Sequence, residues 1–309
     1  MRRIGIIDLG SNTVRLAVFD VADDLGKKLK PSEFREVLNE KAMAGLSAYV
    51  SDGIFTEAGI ERAVDILKDH LKSAKSIDCK EVHVFATAVL RNCANSADAI
   101  KAIEKTTDLP IDLISGEDEA HLGFVGASID QELTQGILLD IGGGSTEFTH
   151  VEHGRDLMNV SVPQGSVSSY ASYVARILPT SEECARITDA FTSKIAEYKC
   201  IQATHEPTLY GIGGSIRAVG KMLGRMSGHD KAQKVMTPED VDSVLRLLVE
   251  DASRFAHLAV KAVPDRLHSV VPGCLILRLL MQAAHAETLT LCKYGIREGY
   301  LKERVLDLA

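Results

Sequence analysis

Long apolar runs are scarce in this chain of 309 residues. The longest, around Val270 to Leu280, is broken by Pro272, Gly273 and Arg278. It falls short of the roughly 20 uninterrupted apolar residues that a membrane helix needs. Positive charge is also in short supply: 35 Lys and Arg face 43 Asp and Glu, a net charge of −8. A general nucleic-acid binder or a binder of acidic membranes needs a basic face, so no nucleic acid and no membrane are expected as partners. A polyanionic small substrate is still compatible, because a cleft needs only local positive charge and a metal. Cys79, Cys93, Cys184, Cys200, Cys274 and Cys292 form no C-x-x-C and no even framework. They read as reduced core thiols. Met1-Arg2-Arg3 leads straight into a strand and not into a signal peptide. The expected compartment is the cytoplasm.

Several catalytic signatures are missing as well. There is no H-E-x-x-H and no zinc spacing among the ten histidines, and His229-Asp230 is an isolated dipeptide. No G-x-S-x-G nucleophile elbow occurs, which argues against a serine hydrolase. A Walker loop would require Gly-Lys-Ser/Thr, and a dinucleotide fingerprint Gly-x-Gly-x-x-Gly before a helix; neither is present.

What the chain does contain is a repeated turn. Ile6-Ile7-Asp8-Leu9-Gly10-Ser11-Asn12-Thr13 and Leu138-Leu139-Asp140-Ile141-Gly142-Gly143-Gly144-Ser145-Thr146 each end an apolar run in Asp, an aliphatic residue and Gly. Val14, Leu16 and Val18 alternate with Arg15, Ala17 and Phe19, and Thr146 to Val151 alternates less cleanly. Period two predicts a second strand after each turn, hence hairpins. Successive N–H groups in a tight turn cradle anions, and an Asp at the edge can hold a divalent cation. The alternative for either copy alone is an ordinary Asp-Gly hairpin whose Asp braces its own backbone. The repeat favours the ligand reading. Gly143 or Gly144 is expected to have positive φ or no room for a Cβ beside a phosphate. A third loop, Tyr210-Gly211-Ile212-Gly213-Gly214-Ser215, precedes Ile216, Val219, Met222 and Leu223 at helical spacing. It would open a helix whose N-terminus favours negative charge.

Together these loops resemble the actin/hexokinase/heat-shock-protein superfamily. Further segments are similar to the exopolyphosphatase / guanosine pentaphosphate phosphohydrolase (Ppx/GppA) family: Ala86-Thr87-Ala88-Val89-Leu90-Arg91-Asn92, Ser115-Gly116-Glu117-Asp118-Glu119-Ala120 and Gly295-Ile296-Arg297-Glu298-Gly299. They occur in family order across nearly the whole chain. The resemblance implies an α/β fold of two actin-like (ribonuclease H-like) domains with a phosphate-binding cleft between them. Domain I would be 1–122 plus a C-terminal helix at about 296–309, and domain II 123–295, joined at the helix from Ser115. The resemblance leaves room for a homodimer. The resemblance implies a short member, without the helical C-terminal extension that long family members carry, which bears on processivity and preferred chain length.

The coarse reading along the chain fits two α/β halves. Ala22 to Lys30 is a charged loop. Thr56 caps a helix with Ile60, Val64, Leu67 and Leu71 on one face. Val82 to Thr87 is a buried strand, followed by a helix from about Ser96 and a strand at Ile111 to Ile114. Helices are expected at Ser181 to Tyr198, Pro238 to Phe255, Pro272 to Ala286 and Gly295 to Leu308.

The candidate chemistry is that of phosphoanhydride hydrolysis. Glu117, Asp118 and Glu119 open a helix, where acids can simply stabilise the first turn. The resemblance makes Glu119, directly before Ala120, the catalytic base that takes a proton from water, and leaves Glu117 and Asp118 solvated. Gly10, Ser11, Asn12, Arg91, Gly142, Gly143, Gly144, Ser145, Gly213, Gly214 and Ser215 are candidates for holding phosphate. Arg15, Arg297 and the turn at Gly165-Ser166 are weaker ones. Asp140, Glu147 and Asp8 are candidates for holding Mg²⁺ or another divalent cation, which takes one or two carboxylates plus water and substrate oxygens. Polyphosphate and guanosine pentaphosphate present the same terminal anhydride. Two alternatives stay open: an ATP-dependent small-molecule kinase of the same superfamily, and a nucleotide- or polyphosphate-binding sensor without turnover.

Overall fold

The computed structural model describes residues 1–26 and 29–308. Lys27 and Lys28, inside the expected loop Ala22 to Lys30, and Ala309, the last residue of the expected C-terminal helix, lie outside the described residues. The chain forms two compact units, Met1–Asp130 with Tyr294–Ala309, and Gln131–Lys293.

In unit 1, β1 (Arg2–Leu9) and β2 (Thr13–Val21) pair antiparallel through the first hairpin, and β3 (Phe34–Met43) pairs with β2. A small ribbon, β4 (Val50–Ser51) and β5 (Ile54–Phe55), precedes α1 (Glu57–Ser76). Then come β6 (Glu81–Ala86), α2 (Ala88–Arg91), α3 (Ser96–Thr107), β7 (Ile111–Leu113) and α4 (Gly116–Ala127). The main sheet runs β3-β2-β1-β6-β7, with β6 parallel to β1 and β7 parallel to β6.

The alternation in β1 and β2 separates two buried faces, not a wet face from a dry one. Ile7, Leu9, Val14, Leu16 and Val18 join one core with Leu67 of α1 and Ile103 of α3. Ile4, Ile6, Ala17, Phe19 and Val21 join another with Phe85, Leu122 and Leu301. Each large apolar side chain so buried contributes about 1.5–3 kcal/mol. On α1, Thr56 accepts from the Gly59 amide as a cap, and the buried stripe is centred on Ala63, Leu67, His70 and Ala74. Ile60 and Leu71 lie at its margin.

Unit 2 contains β8 (Gln135–Ile141), β9 (Thr146–Glu152), β10 (Arg155–Val162), α5 (Ser166–Tyr173), α6 (Ser181–Ala196), α7 (Lys199–Ala203), β11 (Thr208–Ile212), α8 (Gly213–Met226), β12 (Val235–Met236), α9 (Pro238–Glu250), α10 (Ala252–Ala262), α11 (Val270–Ala283) and β13 (Thr288–Leu291). Its sheet runs β10-β9-β8-β11-β13-β12. The first five strands repeat the order and directions of unit 1: an antiparallel meander, then two parallel strands. This duplicated topology is the α/β architecture of two actin-like, ribonuclease H-like units.

Three expectations need correction. The helix expected over Pro238 to Phe255 is two helices. Asp251 leaves helical geometry (φ −149°, ψ 79°), and its carboxylate accepts from the Arg254 amide to start α10. The closing helix is α12 (Ile296–Tyr300), which widens into a π-helical turn at Leu301–Val305 and stops there. The units divide at 130/131 and 293/294, not at 122/123 and 295/296. All of α4 stays with unit 1 because it packs on α12 at glycines: a Cβ on Gly299 would collide with the Leu122 carbonyl oxygen, and one on Gly126 with that of Gly295.

Candidate active-site residues in the two units

The two hairpin turns are built alike. The Gly10 amide donates to the Thr13 carbonyl at 3.2 Å, and the Gly142 amide to the Ser145 carbonyl at 2.9 Å. In each, a following segment holds the turn's carbonyls. The Ala44 and Gly45 amides donate to Asn12 O, and the Ser47 amide to Ser11 O, at 2.9–3.0 Å. In unit 2 the first amides of α5 do the same: Ser166 to Gly142 O, and Val167 and Ser168 to Gly143 O, all at 2.9 Å. Gly165 is required for this approach, since a Cβ there would lie 2.7 Å from the Gly142 and Gly143 carbonyl oxygens. With the carbonyls occupied, the turn amides are left for another acceptor. Among the described residues none takes up the N–H of Ser11, Asn12, Gly143, Gly144 or Ser145. This is the arrangement of an anion nest. Neither Gly143 nor Gly144 has positive φ, so that half of the expectation for them is set aside.

In unit 1, β6 lies beside β1 and the Thr87 amide reaches the Leu9 carbonyl at 3.4 Å, which sets α2 next to the first turn. Arg91, at the end of α2, donates from Nη1 to Glu119 Oε2 at 2.8 Å and to the Ile114 carbonyl at 3.2 Å. Two candidates read separately from the sequence thus form one part-buried ion pair. Glu119 stands in the first turn of α4, whose cap Ser115 accepts from the Asp118 amide. Glu117 is exposed. Asp118 is not simply solvated: it accepts from Ser115 Oγ at 2.8 Å and from Arg304 at 2.9 Å. Burial pushes the Asp8 carboxyl up from the ordinary aspartate range, while Arg297 and then Arg15, its neighbour across the hairpin, pull it down.

In unit 2, Asp140 and Glu147 are directly opposite in the β8–β9 register. Side chains so paired share one face with Cβ atoms about 4.5–5.5 Å apart. Glu147 is buried, and Ser161 Oγ donates to its Oε1 at 2.8 Å. Asp140 lies against the start of α8. Gly213 has φ of 77°, and a Cβ on it would run into Asp140 Oδ1. Gly213, Gly214 and Ser215 therefore open a helix directly beside the second turn, and Ser166 Oγ links the two, 3.0 Å from both Gly142 O and Ser215 Oγ. Among the described residues no group of three or more His, Cys, Asp or Glu gathers as a closed metal cage. A facing pair of carboxylates beside an anion nest nevertheless fits Mg²⁺, which keeps waters and takes substrate oxygens.

Arg266 was not anticipated. Its guanidinium covers Gly214, and no motif surrounds Pro264-Asp265-Arg266 that could have signalled it. Ser161, which holds Glu147, is equally silent in the sequence. No helix among the described residues is long and apolar enough to cross a membrane.

Comparison with known proteins places this geometry. Residues 27–308 match the Ppx/GppA phosphatase family. The chain is 24% identical to exopolyphosphatase 1 of Mycobacterium leprae over 98% of its own length and 89% of that protein. Its fold is similar to that of an exopolyphosphatase from Cytophaga hutchinsonii, with a TM-score of 0.84 at 22% identity, covering 100% of this chain and 99% of that one. It is likewise similar to the Aquifex aeolicus Ppx/GppA family member, with a TM-score of 0.77 at 22% identity over 99% and 98% of the two chains. With the family match covering nearly all of both units, the chain belongs to the Ppx/GppA phosphatase family and is a phosphohydrolase.

Proposed function

We propose that the protein removes the terminal phosphate of inorganic polyphosphate, of guanosine pentaphosphate, or of both. The observation that carries this reading is the matched pair of turns at Gly10–Asn12 and Gly142–Ser145, whose carbonyls are held so that their amides are available to phosphate oxygens. Exopolyphosphatases among its relatives support polyphosphate as the substrate class.

In this reading water attacks the terminal phosphorus, Glu119 accepts the proton, and the bond to the bridging oxygen breaks. Orthophosphate and a chain one phosphate shorter result. Arg91 orients the Glu119 carboxylate through their 2.8 Å bond, so that the base is placed before substrate arrives. Gly142 to Ser145 and Gly213 to Ser215 bind phosphate oxygens in unit 2, and Gly10, Ser11 and Asn12 do so in unit 1. Asp140 and Glu147 would hold a divalent cation, with Asp8 the third candidate. Such an ion, Mg²⁺ by its ligand chemistry, supplies positive charge to the phosphoryl oxygens. Catalysis is then positioning and charge neutralisation.

The test is phosphate release from polyphosphate, guanosine pentaphosphate and ATP in parallel, with and without Mg²⁺. Release from either of the first two that requires Mg²⁺ is expected. Binding without release would favour the sensor, and transfer to a small acceptor would favour the kinase.

A further inference from the structure

Two opposite charges rest on consecutive residues at the start of α8. The Asp140 carboxylate is pressed against Gly213, where a Cβ would meet Oδ1 and lie 3.2 Å from Oδ2. The Arg266 guanidinium is pressed against Gly214, where a Cβ would meet Nη2. Consecutive Cα atoms are about 3.8 Å apart, so the two groups share one small patch of surface. A helix N-terminus favours a carboxylate and disfavours a guanidinium. Among the described residues the Arg266 guanidinium donates no hydrogen bond, its backbone amide alone donating, to the Val263 carbonyl at 2.9 Å; what offsets its charge is the field of Asp265 and Asp140. Burial lowers its pKa from the ordinary arginine value, which marks the cost of keeping a cation there.

We propose that Arg266 is an internal counter-cation of Asp140 and sets how weakly unit 2 holds a divalent cation. This rests on the reading of Asp140 as a cation ligand. With no ion bound, Arg266 offsets the Asp140 charge. A divalent ion arriving at Asp140 meets a fixed positive charge beside it, and its affinity falls accordingly. At a separation of about 6 Å and a water-like dielectric, one such charge changes the affinity for a divalent ion by roughly tenfold. The consequence is a cation site that fills well only when substrate phosphates add their own negative charge, so ion and substrate bind together.

The experiment is a Mn²⁺ titration followed by electron paramagnetic resonance on the full chain without substrate. Arg266→Gln is expected to tighten Mn²⁺ binding about tenfold. Arg266→Met, which keeps the apolar stem, is a second uncharged variant with the same expectation. Arg266→Lys retains the charge and is expected to bind like the parent. Thermal melting without cation identifies any variant that has lost its fold, an effect that would weaken Mn²⁺ binding and not strengthen it. Unchanged or weaker Mn²⁺ binding in the two uncharged variants would overturn the proposal. Asp140→Asn separates the two readings: it should abolish Mn²⁺ binding in either background. Retained binding there would remove Asp140 as the ligand, whatever Arg266 does.

Discussion

At the scale of single residues, Glu119 carries the sharpest expectation. Glu119→Gln keeps the size and the bond to Arg91 but cannot take a proton. It should lower kcat by about 10²–10⁴ with little change in binding of a phosphate-chain substrate. Glu117→Gln, exposed and about 200° around the helix from Glu119, should be nearly silent. Steady-state turnover together with equilibrium binding on both variants checks this; equal, large losses would point to a diffuse acidic patch. Glu119 and Arg91 were each legible in the sequence as candidates, but their pairing was not. They are brought together by β6 and β7 lying side by side, a tertiary fact with no local pattern. Arg266 lay further out of reach, since it meets Asp140 only through the packing of a 3₁₀ turn on the start of α8. Asp140 and Glu147 were each legible as candidate cation ligands, and the hairpin that the alternation predicts between them, seven residues apart, is what sets them opposite in register.

At the scale of elements, caps made several helix starts readable. Ser115 and Thr56 accept from the third residue of their helices, as their sequence context suggests. Features whose cause is not local escaped. The break at Asp251 interrupts a continuous helical pattern, and β3 is an edge strand whose polar residues, Arg35, Glu36 and Glu40 among them, show no apolar alternation. The contact of α4 with α12 is the element-scale feature that holds Glu119 in place. Gly299→Ala would drive a methyl group into the Leu122 carbonyl, and neither helix backbone can yield cheaply. Overpacking of this kind costs about 1–3 kcal/mol. Urea unfolding of the variant should show a loss of that order, and a loss of turnover larger than any loss of substrate binding.

At the scale of the whole molecule, stability against acid has a traceable contributor. The Arg3 guanidinium, bonded to Asp20 at 2.7 Å across β1 and β2, holds the Asp20 carboxyl below its ordinary range, with Arg35 adding to it. A depressed carboxyl stabilises the fold above its unfolded pKa, about 3.9, and that contribution disappears as pH falls through the folded value. Asp20→Asn should therefore be less stable than the parent at neutral pH, and the two denaturation curves should converge below about pH 4. Unit 1 also depends on residues distant in sequence: Tyr294, Tyr300, Leu301 and Leu306 complete the core that contains Phe19, Phe34 and Phe85. A chain ending at Lys293 should lose protease resistance in unit 1 while residues 131–293 stay protected, as limited proteolysis with mass spectrometry would reveal. The same discontinuity matters during synthesis on the ribosome. The first sheet emerges early, yet the helix that closes it is translated only after all of unit 2. At roughly 5–20 residues per second, that leaves the aromatic face of Phe19 and Phe85 uncovered for about ten to thirty seconds. Unit 2, continuous in sequence, can fold within that interval. The nascent chain would then carry one finished half and one half with an open core, a state that invites a chaperone.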